Sequence, residues 1–291
     1  MPISIEGAWD IHCHPSPCLF PRLVTDRSLA KIASEHKMEG FMIKSHHEPS
    51  MSRAALVSEE YENLHIYGGL VLNTFVGGLN PIAADMALRQ GGKALWFATC
   101  DSKRHVELHG APGRYSKAQE GTGKFQHEGL SVIDDNGKLK DKAVNIIEIA
   151  QEYDVFLGSG HCTMEECVIL AKRCREINFE KFLIQHAHYR VPNVDIETQK
   201  ELVKLGATIE LGYCTISPAW AANTLAQAVK AIKEVGSDHY VLVSDGGQLN
   251  NPSPPECLRV FAQSVSERDV PEKDVMKMIV DKPRWLLGLD K

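Results

Sequence analysis

The sequence predicts an α/β protein: a (β/α)8 barrel of the TIM type with a long insertion after its fourth strand. Two observations predict it. Short apolar runs rich in β-branched residues begin near Ala8, Gly40, His65, Lys93, Asp154, Lys181, Ala207 and His239, and stretches with helical spacing separate most of them. Strands that alternate with helices imply a parallel sheet built of β-α-β units. Eight of them, most about 25–32 residues apart, fit a closed barrel better than an open sheet.

The helices follow in order. Thr25 to Met38 opens on an N-capping residue and sets Leu29, Ile32 and Ala33 on one face. Lys142 to Tyr153 repeats Val144, Ile147, Ile149 and Ala150 in the same way. Thr163 to Asn178 begins with Thr163-x-x-Glu166, a capping box by pattern. Ile196 to Leu205 and Pro218 to Val235 complete the strongest segments. One interval departs from the rest: Thr99 to Asp154 is about twice the usual length. Its middle is polar and Gly-rich, with Arg104, His105, His109, Arg114 and His127, and Asp135-Asn136-Gly137 reads as a hairpin turn. Barrel chemistry sits at the C-terminal mouth of the strands, so this insertion, residues 100–140, is expected to cap the mouth. The chain 1–291 reads as one barrel domain, without an interdomain linker or an internal repeat beyond the β-α alternation.

Composition narrows the class of function. Hydrophobic residues are 43% and charged residues 24% of the chain, which permits a sizeable core. A net charge of −6, with no Lys/Arg run, offers nothing to nucleic acid or an anionic membrane. The eight cysteines form no Cys-x-x-Cys pair, a usage that fits a reducing compartment better than a disulfide framework. The start, Met1-Pro2-Ile3-Ser4-Ile5-Glu6, lacks a signal-peptide layout, and no apolar run reaches membrane-spanning length. A cytoplasmic protein acting on a small molecule is expected, with a homo-oligomer left open.

Chemistry concentrates at strand ends. Asp10-Ile11-His12-Cys13-His14 closes strand one, Gly160-His161 strand five, Gln185-His186-Ala187-His188 strand six, and Ser244-Asp245-Gly246-Gly247 strand eight. Alternate residues of a strand share a face, so His12 and His14 point together while Cys13 points away. His12, His14, His161, His186 and Asp245 would converge on one mouth, and imidazoles with a carboxylate suit a divalent ion. Zinc accepts this donor set, as do manganese, iron and nickel. Lys44, in Ile43-Lys44-Ser45-His46-His47, lies among apolar strand residues; His46 shares its face. Glu210 in strand seven would either orient a ligand histidine or form a core salt bridge. His105, His109 and His127 read as members of a solvated lid.

These positions resemble the amidohydrolase superfamily of metal-dependent hydrolases. The resemblance spans nearly the whole chain: Asp10-x-His12-x-His14, then His161, His186 and Ser244-Asp245. The closing Lys282-Pro283-Arg284-Trp285-Leu286-Leu287-Gly288-Leu289 looks like the Asn-Pro-Ala-x-x-Leu-Gly-Leu helix of those barrels. Gly69-x-x-Leu72-Asn73 and Gly77-Gly78-Leu79-Asn80-Pro81 point to an uncharacterised branch. The resemblance implies one or two divalent ions. His12 and His14 would bind one with Asp245 beside them; His161 and His186 would bind a second or position substrate. Binuclear members carry a bridging carboxylated lysine or a glutamate at the end of strand four, where this chain reads Phe97-Ala98-Thr99-Cys100-Asp101. Lys44 is the substitute bridge or a substrate contact.

The roles follow from metal-assisted hydrolysis. A bound ion brings water toward ionisation at neutral pH; Asp245 accepts its proton and returns it to the leaving group. The ion, His186 or His188 polarises the carbonyl. His46, Arg190 and His105 are candidate substrate contacts, and Lys44, Arg190 or an insertion arginine could hold a substrate carboxylate. The expected reaction is hydrolysis of an amide, lactone or related cyclic carbonyl compound. Three alternatives stand beside it: a decarboxylase of the same superfamily, a phosphoesterase like the polymerase-and-histidinol-phosphatase family with His46 as a ligand, and a ligand-binding protein without catalysis.

Overall fold

The computed structural model describes residues 2–115 and 127–289. Among them, strands occur at all eight expected positions: β1 (Trp9–Cys13), β2 (Gly40–Ile43), β3 (His65–Gly68), β4 (Leu70–Val71), β5 (Ala94–Trp96), β6 (Phe156–Gly158), β7 (Phe182–Ile184), β8 (Thr208–Gly212) and β9 (Tyr240–Val243). β3 and β4 are one stave interrupted at Gly69, so nine strands make eight staves. All neighbouring pairs are parallel, in the orders β1-β2-β3 and β4-β5-β6-β7-β8-β9.

Side-chain and backbone bonds together close the ring between β9 and β1. Asp10 Oδ1 accepts from Ser244 N at 3.1 Å and from His12 N at 3.2 Å. His14 N donates to Gly246 O at 2.8 Å. Asp10, part of the histidine motif, therefore acts as a stitch, and it ties the His12 strand to the Asp245 strand.

The barrel interior is a packed layer of Trp9, Ile11, Met42, Trp96, Phe156 and Leu183, closed from below by Leu286 and Leu287 of the terminal helix. Two buried indoles take most of this space, and glycines make room for them. A Cβ on Gly158 would sit 2.2 Å from Trp96 Cδ1, and one on Gly40 would sit 2.4 Å from Trp9 Cζ3. A methyl group has no place at either position.

Outside the staves run α1 (Asp26–Glu35), α2 (Met51–Ser58), α3 (Pro81–Arg89), α4 (Lys103–His109), α5 (Asp141–Glu152), α6 (Met164–Glu176), α7 (Ile196–Lys204), α8 (Tyr213–Ile216), α9 (Leu225–Val235), α10 (Pro254–Ser266), α11 (Glu272–Met276) and α12 (Lys282–Leu286). The Thr163/Glu166 capping box forms as its pattern predicts. Glu166 Oε1 also accepts from Ser131 Oγ at 2.6 Å and Val132 N at 3.1 Å, which fastens the returning end of the insertion to α6. The expected helix from Pro218 is shorter: α9 starts at Leu225, where Thr224 and Gln227 form the true capping box. Residues 217–224 instead form turns that bring Trp220 to the mouth.

The expected hairpin is present, with Ile133 bridging Leu139 and Asp134 Oδ1 accepting from Asn136 N and Lys138 N. The stretch 116–126 of the expected cap lies outside the described residues. All eight cysteines are free. Among the described residues no helix is long and apolar enough to cross a membrane.

Candidate metal centre

His12 and His14 leave β1 on one face, as period-two alternation requires, and each is held by its outer nitrogen. His12 Nδ1 lies 3.0 Å from Glu210 Oε1, and His14 Nδ1 lies 2.8 Å from the Lys44 carbonyl oxygen. A carbonyl only accepts, so His14 Nδ1 carries the proton, and His12 Nδ1 carries it when Glu210 is ionised. Both Nε2 atoms are then bare lone pairs, and they face each other at 3.1 Å. Asp245 Oδ1 completes a triangle, 3.3 Å from His12 Nε2 and 3.2 Å from His14 Nε2.

With Asp245 ionised, the triangle is three acceptors, which cannot satisfy one another. Lys44 Nζ donates to His12 Nε2 at 3.0 Å and so serves one of them. The triangle's edges match what one divalent ion requires. Donors about 2.1 Å from an ion, at tetrahedral to octahedral angles, stand about 3.0–3.4 Å apart. His12, His14 and Asp245 thus form one group able to hold a cation, and His12, His186 and Glu210 form a second. In the second group His186 Nδ1 lies 3.3 Å from Glu210 Oε1 without hydrogen-bond geometry, and Glu210 Oε2 is buried with no partner. Orphaned polar atoms of this kind fit an ion-binding pocket.

Backbone strain helps to aim two of these side chains. His186 and Asp245 lie just past β7 and β9 with φ of 48° and 45°, in the left-handed region that non-glycine residues seldom enter. Such strain costs on the order of 1–3 kcal/mol and persists where the surroundings dictate it.

His161 is in neither group. Its Nδ1 lies 2.9 Å from His105 Nδ1, while His105 Nε2 donates to the Arg114 carbonyl at 2.8 Å. His105 Nδ1 is therefore an acceptor, His161 Nδ1 donates to it, and His161 Nε2 remains a lone pair. Ser102 fixes the pair from below: its hydroxyl caps α4 and donates to the His161 carbonyl at 2.8 Å. His105 is fully buried against His161, which corrects its reading as part of a solvated lid and as a substrate contact. Substituting His105 by alanine leaves the His161 N–H without an acceptor. Urea denaturation should show a loss of about 1–3 kcal/mol, with His105→Gln recovering part of it; an unchanged midpoint would mean that the pair carries no strength.

Two other expectations need correction. His188 turns away from the cluster, with Nε2 2.9 Å from Gln199 Nε2 and Nδ1 2.6 Å from Asn223 Nδ2. Arg190 is exposed and does not line the cavity. Strand alternation fails here because β7 stops at Ile184, so the spacing of His186 and His188 no longer defines a common face. His46 does face the cavity: its ring stacks on His14 at 4.5 Å, with Nδ1 2.9 Å from Thr99 Oγ1.

Burial sets the electrostatics. It holds the imidazoles of His12, His14, His46, His161 and His186 well below their ordinary range, in the neutral form that a metal ligand requires. It raises the carboxyl of Glu210 to about 7 and that of Asp245 to about 8, and lowers the Lys44 ammonium to about 8. The Lys44 nitrogen also sits 5.0 Å above the Trp96 ring, so the indole that fills the barrel forms the floor of the centre.

Above the imidazoles lies a cavity of about 160 Å³. Its upper wall is aromatic: Phe20, Tyr115, Tyr189 and Trp220, with Tyr115 5.4 Å from Phe20 and 5.9 Å from Trp220. Arg22 completes the lining from the loop after β1. None of these residues stood out in the sequence, since they come from irregular segments.

A family described as "Family of unknown function (DUF6282)" matches residues 7–210. The chain belongs to this family. None of the curated proteins matches it. Among solved structures, the chain is similar to the probable dipeptidase PvdM from Pseudomonas aeruginosa, with TM-score 0.65 and 12% identity over 97% of this chain and 95% of that one. It is also similar to an amidohydrolase from Pseudomonas aeruginosa, with TM-score 0.61 and 10% identity over 97% and 95%. A third is 2,6-dihydroxybenzoate decarboxylase from Rhizobium, with TM-score 0.59 and 12% identity over 98% and 100%. These likenesses establish the barrel fold.

Proposed function

We propose that this member of the DUF6282 family is a metal-dependent hydrolase acting on an amide, lactone or related cyclic carbonyl compound. One observation carries the reading: two imidazoles, each with its proton fixed on Nδ1, aim bare Nε2 atoms at each other across 3.1 Å with a carboxylate oxygen beside both. A divalent ion held by His12, His14 and Asp245, zinc first by its preference for this donor set, would supply hydroxide at neutral pH and polarise the carbonyl.

The chain's own residues do the rest. Glu210 and the Lys44 carbonyl fix the tautomers of the two histidines. Asp245 keeps Oδ2 away from the triangle, 3.7 Å from His186 Nδ1, free to take a proton from water and hand it to the leaving group. His161, its Nε2 bare, and His186 face the substrate space. Lys44 either neutralises charge beside His12 or bridges two ions; with its proton on Nδ1, His12 offers one lone pair, so the two groups that share it compete for that ligand. We extend the reading to a cytoplasmic protein whose insertion caps the mouth. The same fold in 2,6-dihydroxybenzoate decarboxylase names the main alternative reaction.

The test is a panel of amides, lactones and phosphomonoesters offered to zinc- and manganese-loaded protein, with carbon dioxide release followed in parallel. Water added to an amide or lactone supports the reading. Carbon dioxide without hydrolysis would replace it with decarboxylation, and turnover of phosphomonoesters alone would reverse it in favour of the phosphoesterase.

A further inference from the structure

The cavity wall contains one guanidinium, and the mechanism above does not use it. Arg22 lies on the loop after β1, eight residues past His14, half-buried at the cavity edge. Its backbone is fastened to the loop that carries Asp245: Arg22 bridges Gln248, and Leu23 N donates to Gly247 O at 2.8 Å. Its guanidinium carbon stands 5.6 Å from the Phe20 ring centroid, so an aromatic face steadies the side chain. Among the described residues Arg22 has no carboxylate partner, and its Nε is buried without an acceptor. A buried donor without an acceptor in a cavity wall is a place for a ligand atom.

The rest of the cavity defines the ligand's body. The aromatic wall of Phe20, Tyr115, Tyr189 and Trp220 offers flat faces with T-shaped contacts between neighbours. At about 160 Å³ the space admits a single ring, since a cavity of about 150 Å³ admits benzene.

We propose that Arg22 binds a substrate carboxylate, and that the site therefore takes planar, ring-sized carboxylic acids, with the acid group at Arg22 and the body against the aromatic wall. The inference deepens the hydrolase reading and rests on it for the reaction, although not for the binding. A guanidinium meets a carboxylate through two parallel N–H···O bonds, and a neutral group of the same size cannot answer it equally.

Calorimetric titration of the zinc-supplemented protein with benzoate and with benzyl alcohol tests this, with metal content measured on the same samples. Wild type should bind benzoate about tenfold or more tightly than benzyl alcohol. Arg22→Met should lose that preference by weakening benzoate about tenfold while leaving benzyl alcohol and metal content nearly unchanged. Arg22→Lys, which keeps the charge but not the planar fork, should fall between, and it reads the same contrast should the methionine variant fold poorly. Equal binding of the two probes by wild type, binding of neither, or a preference that survives Arg22→Met would each overturn the proposal. Metal bound without the benzoate preference sinks the Arg22 assignment alone. The preference without bound metal sinks the hydrolase reading and leaves Arg22 standing.

Discussion

Replacing His12 with alanine is expected to strip the protein of bound metal and, with it, of turnover. His12 is the residue common to both groups able to hold an ion. Its Nε2 touches His14, Asp245 and Lys44 at 3.1, 3.3 and 3.0 Å, while its Nδ1 meets Glu210. No neighbouring side chain can take its place, because the strand end that carries it is packed on every side and His12 itself is fully buried. Elemental analysis after refilling with zinc should therefore give one or two ions per wild-type chain and none in His12→Ala. Glu210→Gln provides the graded comparison. It keeps an oxygen near His12 Nδ1 but removes the charge that makes the imidazole a better donor, so metal affinity should fall roughly 10–100-fold. A His12→Ala protein that keeps a full metal load and full turnover would end the metal-centre reading. Two ions in wild type, and one after His186→Ala, would make the second group a real site and Lys44 its first candidate bridge.

How much of this was legible depended on regular backbone. All eight staves announced themselves because a barrel strand is buried on both faces and reads as a continuous apolar run, as in Phe182-Leu183-Ile184. The pairing of His12 with His14 was legible for the same reason, since they lie on and just beyond one extended strand. The argument from alternation stopped where the strands stopped. His186 enters a left-handed conformation one residue after Gln185, and from there His188 and Arg190 follow the loop, not the strand. The helix expected from Pro218 failed likewise: its apolar residues satisfied a helical pattern, but Trp220 is drawn into the cavity wall and the helix starts seven residues on, at Leu225.

His105 was misread because a lone histidine in a polar insertion carries no periodic signal. Its burial comes from Ser102, which caps α4 and seats that helix on the His161 turn. Arg22 and the aromatic wall had no pattern at all. They become neighbours only through loops that converge on the mouth, so three-dimensional closure reveals them and sequence spacing does not. Glu210 lies between these cases. It was visible as a strand carboxylate, and only its 3.0 Å contact with His12 Nδ1 separates an orienting partner from a core salt bridge.

Asp245→Asn should separate catalysis from folding more cleanly than any other change at this site. The side chain keeps its size, and asparagine is among the few residues that accept a positive φ, so the 45° backbone conformation survives. The remaining oxygen can still face His12 and His14, where Asp245 Oδ1 now stands at 3.3 and 3.2 Å. Metal should therefore bind more weakly but remain detectable, and the thermal midpoint should move little. Turnover should not survive so well. An amide cannot take a proton from water and return it to a leaving group near neutral pH, so kcat on the amide or lactone that the panel identifies should drop about 10²–10⁴-fold. Asp245→Ala is the poorer test, since it removes a ligand and a packing group together, and alanine enters a positive φ less readily than aspartate or asparagine. If Asp245→Asn turned over at the wild-type rate with metal bound, Asp245 would be a ligand without a proton-transfer role. The bare Nε2 of His161, held in that state by His105, would then be the next base to test.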